Sequence, residues 1–153
     1  ASGAAPVAPA RRRAAAPSGD GPEASARRHA AEPLADRLAS LDKGFSETLL
    51  DLIDERGLAD AAVYRRANMS RQHFSKIRSN PAYRPGKPTV LALAVALELP
   101  VDQAETLLAR AGYAFSPSSA ADVIVRWFIE NGRYDVFEIN EALYAYDQRL
   151  LGA

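Results

Sequence analysis

Apolar side chains recur every three or four residues along most of the chain from Leu41 onward, and no window shows sustained alternation. That is the spacing of amphipathic helices, so the pattern predicts an all-α protein. Caps and stops divide it into seven helices. Leu49, Leu50 and Ile53 line one face of a helix over 46–56, with Ser46 as its expected N-cap and Gly57 as its stop. The next helix begins after Asp60 and reaches Ala67, where Asn68 suits a sharp left-handed turn. Ser70 is placed to cap a helix over 70–79. A proline-rich loop, 80–88, leads to a helix over 89–98 with no charge from Thr89 to Leu97, which is expected to be buried on all sides. Capping patterns at Asp102–Glu105, Ser119–Asp122 and Asp135–Glu138 open three more, and Gly112 and Gly132 end the first two of them.

The last two helices carry more apolar residues than a small cap requires. Val123, Ile124, Trp127, Phe128 and Ile129 belong to one, and Val136, Phe137, Ile139, Leu143 and Tyr144 to the other. The simplest expectation is that both fold back over the helix at 89–98 and bury it, with Trp127, Phe128, Val123 and Ile124 in the core. Surplus apolar surface in 114–153 would then serve a two-fold contact between chains.

Before Leu34 the only large aliphatic side chain is Val7, in a stretch of Ala, Pro, Gly, Ser and Arg. Such a segment buries too little to offset its ordering entropy, so 1–40 is expected to be a disordered tail or linker. The organisation predicted is therefore a tail at 1–40, a helical domain at 41–113 and a two-helix extension at 114–153. Arg11-Arg12-Arg13 in the tail would touch phosphate or merely keep the tail solvated. No apolar run of signal-peptide form follows them, and Val90–Leu97, the longest apolar run, is far short of a membrane span. With no cysteine, disulfides and thiolate metal sites are excluded. The expectation is a soluble, cytoplasmic protein without a membrane partner. The chain opens on Ala1 rather than Met, as a piece of a longer protein would.

Charge changes the picture. The 19 basic and 19 acidic residues cancel, yet they are sorted along the chain. Residues 61–97 hold Arg65, Arg66, Arg71, Lys76, Arg78, Arg84 and Lys87 and no acid, while 98–153 hold nine acids and four basics. A positive stretch between acidic ones makes a local field that a polyanion can find. On a wheel of ~100° per residue, Phe74 and Ile77 fall on one side of the helix at 70–79 and Gln72, Ser75, Lys76 and Ser79 on the other. Arg71 and Arg78 flank one edge and His73 the other. This layout suits a helix that reads a major groove, its N-terminal residues on base edges and its neighbours on phosphates. The candidate base contacts are Arg71, Gln72, Ser75 and Lys76. The candidate phosphate contacts are Arg65, Arg66, Ser70, Arg78, Arg84 and Lys87. Tyr83, beside Arg84, would stack on a base or sugar or pack on the loop prolines.

GLADAAVYRRANMSRQHFSKIRSN (Gly57–Asn80) resembles the helix-turn-helix of the lambda-repressor-like, XRE-type family, and KPTVLALAVALELPVDQAETLLARAGY resembles that fold's fourth and fifth helices. The likeness spans about Phe45 to Tyr113. It implies a five-helix domain, with two further helices here, and binding of double-stranded DNA in transcriptional regulation. Two positions depart from the family pattern. Asp60 stands where a phosphate-binding Gln is common, and Tyr64 where a small residue usually lets the two helices pack closely. The segments FSETLLDLIDERGL, VYRRANMSRQHFSKIRSN and YDVFEINEALYAYDQRLLG also resemble a C-terminal helical module that follows a macrodomain in some bacterial proteins. That second likeness implies a regulatory or protein-binding module associated with an ADP-ribose-processing enzyme.

Other chemistry is thinly represented. His29 and His73 have no neighbours for a metal site. Pro85-Gly86-Lys87-Pro88-Thr89 lacks the glycine spacing of a phosphate-binding loop. Glu138, Glu141 and Asp147 face no nucleophile or base in the pattern. No enzyme, cofactor or metal is expected.

Overall fold

The computed structural model describes residues 32–152, and among them it contains eight α-helices and no strand. Arg11-Arg12-Arg13, His29 and most of the expected tail lie outside the described residues. The chain divides into two units, one ending at Asp42 and one beginning at Lys43. In the first, α1 (Leu34–Ala39) is a six-residue helix with no buried side chain, ended by the Ser40 hydroxyl donating to the Asp36 carbonyl at 3.1 Å. Its residues fall within the stretch expected to be without structure. Leu34 and Leu38 are one turn apart, too few apolar positions for the periodicity to register as a helix.

The second unit holds α2 (Phe45–Glu55), α3 (Asp60–Arg66), α4 (Arg71–Ser79), α5 (Lys87–Ala96), α6 (Val101–Arg110), α7 (Ala120–Glu130) and α8 (Val136–Ala145). Its centre is α5, where every residue from Thr89 through Leu97 is buried. A helix apolar all round can only sit inside, and α3, α6 and α8 pack around it. Helix α7 packs on α6 and α8. One core therefore runs from Phe45 to Leu151, with Val125, Phe128, Ile139 and Leu143 joining Leu49, Val63, Leu93 and Leu107. Trp127 and, one turn before it, Val123, both expected in this core, are 48% and 51% exposed instead. The backbone turns Phe128 inward at that point, and adjacent helical positions cannot share one direction.

Three caps form where the sequence placed them. The Ser70 hydroxyl accepts from the His73 amide at 3.0 Å, Ser119 from Asp122 at 3.2 Å, and Asp135 from Phe137 at 2.9 Å. Asn68 adopts φ 56°, as its place after α3 requires. Four starts differ from expectation, the least of them α3, which begins at Asp60 itself after Ala59. Gly44, not Ser46, precedes α2, and the buried Ser46 hydroxyl donates to the Ile77 carbonyl at 2.9 Å, tying α2 to α4. Helix α5 begins at Lys87 with Pro88 inside its first turn, where a missing N–H costs nothing. Pro100 is the N-cap of α6, so Asp102 sits in the first turn as an acid near the positive helix end.

Residues 151–152 dock beside the α3–α4 turn. Leu151 is buried; its amide donates to Asn140 Oδ1 at 2.7 Å, and Asn140 Nδ2 donates to its carbonyl at 3.2 Å. Gly152 follows at φ 92°, where a Cβ would stand 2.5 Å from the Asn68 carbonyl oxygen. Only glycine combines that backbone angle with so close an approach.

Candidate nucleic-acid interface

Helix α4 is anchored from within and presents its other side to solvent. Phe74 and Ile77 are buried, and the Phe74 ring packs against Tyr64 with centroids 5.8 Å apart. Tyr64 thus fills the α3–α4 contact where a small residue would bring the helices closer. Arg71, Gln72, Ser75 and Lys76 are all exposed, as are Ser70 and Arg78. The orientation of α4 read from the sequence is the one observed.

An open concavity of about 400 Å³ lies between α3 and α4. Tyr64 and Phe74 contribute its apolar side, while Asp60, Arg71, Ser75 and Arg78 supply polar groups. The structure brings together there two of the four candidate base contacts, Arg71 and Ser75. Gln72 and Lys76 do not line it and lie farther round the helix. Across this concavity the Asp60 carboxylate pairs with Arg78 Nη1 at 3.5 Å. Asp60 therefore has a partner within the site.

Lys76 is not a free-standing cation. Its ammonium sits 4.7 Å from the centroid of the Tyr83 ring, and the Tyr83 hydroxyl lies 3.2 Å from His73 Nε2. Tyr83 is brought there by the turn after α4, in which Asn80 Oδ1 accepts from the Ala82 amide at 3.1 Å. Tyr83 thus packs against α4 side chains rather than standing out for stacking. Partial burial, and then the nearby Lys76 charge, hold the His73 pKa below its ordinary value.

The phosphate candidates separate. Arg65 and Arg84 are exposed, and the Arg84 guanidinium lies against the bare face of Gly112. Arg66 lines a different hollow, with Arg56, Leu58, Leu97 and Glu98, and so does not belong to the α3–α4 concavity. Lys87 must be removed from the set. Its ammonium meets Asp122 Oδ2 at 2.5 Å, with the Asp122 side chain only 4% exposed, so the charge is spent on a buried carboxylate. Sequence reasoning missed this pair because 35 residues separate its members and each read locally as something else. The Asp60–Arg78 pair was missed for a similar reason, since nothing in linear spacing aligns the first turn of α3 with the last turn of α4.

A second surface lies on α7 and α8. A groove of about 330 Å³ is lined by Val123, Ile124, Trp127, Phe128, Ala142 and Tyr146. Trp127 is framed on one edge by Arg133, whose guanidinium is 5.7 Å from its ring centroid. Among the described residues no cluster of His, Asp and Glu could hold a metal ion, and no helix is long and apolar enough to cross a membrane. Comparisons of the chain with family models, curated proteins and solved structures give no match.

Proposed function

We propose that this protein is a sequence-specific binder of double-stranded DNA, a cytoplasmic transcriptional regulator rather than an enzyme. In this reading α2–α6 form a lambda-repressor-like helix-turn-helix domain, α7 and α8 are an addition to it, and α4 enters the major groove. The observation that carries the reading is the exposed, acid-free face of α4, with Arg71, Gln72, Ser75 and Lys76 outward and Phe74 and Ile77 anchored behind them. Arg bidentate to guanine and Gln bidentate to adenine are the pairings such a face offers. Arg65 and Arg84 add phosphate contacts. Two copies joined through 114–153 would bind half-sites about one helical turn apart, roughly 34 Å centre to centre. Selection from a random duplex pool tests the reading: a recurrent motif, lost on Gln72→Ala, supports it, and no enrichment over input refutes it.

A second reading has its own observation. The half-exposed Trp127 and the apolar groove beside it are the kind of surface that marks protein contacts. On that reading the chain is an interaction or regulatory module, associated with an ADP-ribose-processing enzyme as the second resemblance implies. Loss of partner binding on Trp127→Ala, with duplex binding absent throughout, would favour it.

A further inference from the structure

We propose that Asp60 is an internal competitor for Arg78, which holds down affinity for the DNA backbone so that recognition leans on base contacts. The inference rests on the DNA-binding reading of α4. Arg78 occupies one edge of the α4 outer face, and its guanidinium reaches across the concavity to the Asp60 carboxylate at 3.5 Å. Both side chains are about half exposed. A pair so exposed adds little to folding, and the ends it joins are already fixed, by the Tyr64–Phe74 contact and by the Ser46–Ile77 hydrogen bond.

Its consequence lies in what Arg78 can do next. Guanidinium groups grip carboxylate and phosphate with the same planar fork. A phosphate approaching this edge must therefore displace Asp60, and afterwards leaves that carboxylate unpaired beside a like charge. Arg71 and Ser75 line the same concavity, where the ion pair joins Asp60 to Arg78 and not to them. The edge of the site that would grip the backbone is restrained, while the base-facing positions stay open. The plain alternative is that Asp60 is only an acid favoured at a helix start. That role predicts effects independent of Arg78, which makes the two separable.

The experiment is a double-mutant cycle on the full chain, titrating a labelled random-sequence duplex at several salt concentrations. Asp60→Asn is expected to raise affinity roughly two- to fivefold, the scale of an exposed ion pair. It should also steepen the log–log salt slope by about 0.9, as one more phosphate contact forms. In the Arg78→Ala background the gain should shrink and the slope should not change. Glu141→Gln, which removes an exposed acid on α8, should leave affinity near wild type. Thermal melting of each variant checks that the fold is kept. Unchanged affinity in Asp60→Asn, or equal gains in both backgrounds, overturns the proposal while leaving DNA binding intact. Failure of both wild type and Asp60→Asn to bind at about 50 mM salt overturns the DNA-binding reading and this inference with it.

Discussion

The Lys87 ammonium and the Asp122 carboxylate meet at 2.5 Å, joining the first turn of α5 to the first turn of α7. Asp122 also accepts from the Ser116 amide at 2.7 Å, so the loop before α7 is tied to the same point. Because Asp122 is nearly inaccessible, removing its partner strands a buried charge. Lys87→Met should cost about 2–4 kcal/mol in denaturant unfolding, the lower end reflecting the partly exposed lysine. The double variant Lys87→Met/Asp122→Asn should recover much of that loss. A loss within about 0.5 kcal/mol for Lys87→Met would show the lysine to be a surface residue after all.

Packing and contact are separable on α4. Phe74→Ala should destabilise the protein by roughly 3–5 kcal/mol, as truncation of a buried aromatic does. Gln72→Ala and Ser75→Ala should fall within about 0.5 kcal/mol of wild type. Lys76→Ala gives up only its contact with Tyr83, about 0.5–1 kcal/mol. Equal losses for Lys76→Ala and Phe74→Ala in the same unfolding assay would contradict the orientation described.

The His73 imidazole sets a pH dependence. Its pKa in the folded protein is held below the ordinary value of 6.5, so the unfolded chain binds the proton more readily. Stability from this group is therefore complete above about pH 6.5 and declines as pH falls through that value toward the folded pKa. Unfolding midpoints measured from pH 7.5 to 5 should fall more in wild type than in His73→Gln, which cannot titrate. A steeper fall in His73→Gln would reverse the sign and refute the assignment.

How much of this was legible in the sequence varies by interaction range. The caps at Ser70, Ser119 and Asp135, the left-handed Asn68 and the buried faces of α4 and α5 were readable, because each follows from a few neighbouring residues. Ser46 misled because a hydroxyl near a helix start looks like a cap until its true acceptor, the Ile77 carbonyl 31 residues on, is known. Lys87 misled in the same way, counted as a surface cation while its partner lay on another helix. An apolar side chain does not by itself tell whether Trp127 or Phe128 turns inward; the direction of α7 decides it, in favour of Phe128. The candidate site was half legible: the outward face of α4 could be drawn on a wheel, but the concavity and its Asp60–Arg78 closure exist only in three dimensions.

The docking of residues 151–152 offers a further check. A Cβ on residue 152 would stand 2.5 Å from the Asn68 carbonyl oxygen and 2.8 Å from that of Ala67, at a φ of 92° that L side chains resist. Gly152→Ala should therefore release 151–152 from the α3–α4 turn while leaving the core folded. Hydrogen exchange of the Leu151 amide, now held by Asn140, should accelerate well beyond any change at Leu93. Unchanged protection of Leu151 would mean that the turn accommodates the methyl group.

The salt dependence of duplex binding is the decisive measurement for DNA recognition by α4. Arg65 and Arg84 remain as the cations for phosphate contact, while Arg71 and Lys76 face bases in the proposed reading, Lys87 is committed to Asp122, Arg78 to Asp60, and Arg66 lines a separate hollow. About two contacts at roughly −0.9 each give an expected log–log slope near −1.8. Arg84→Ala should make it shallower by about one. A slope near zero, or no binding to any duplex at about 50 mM salt, would contradict the account.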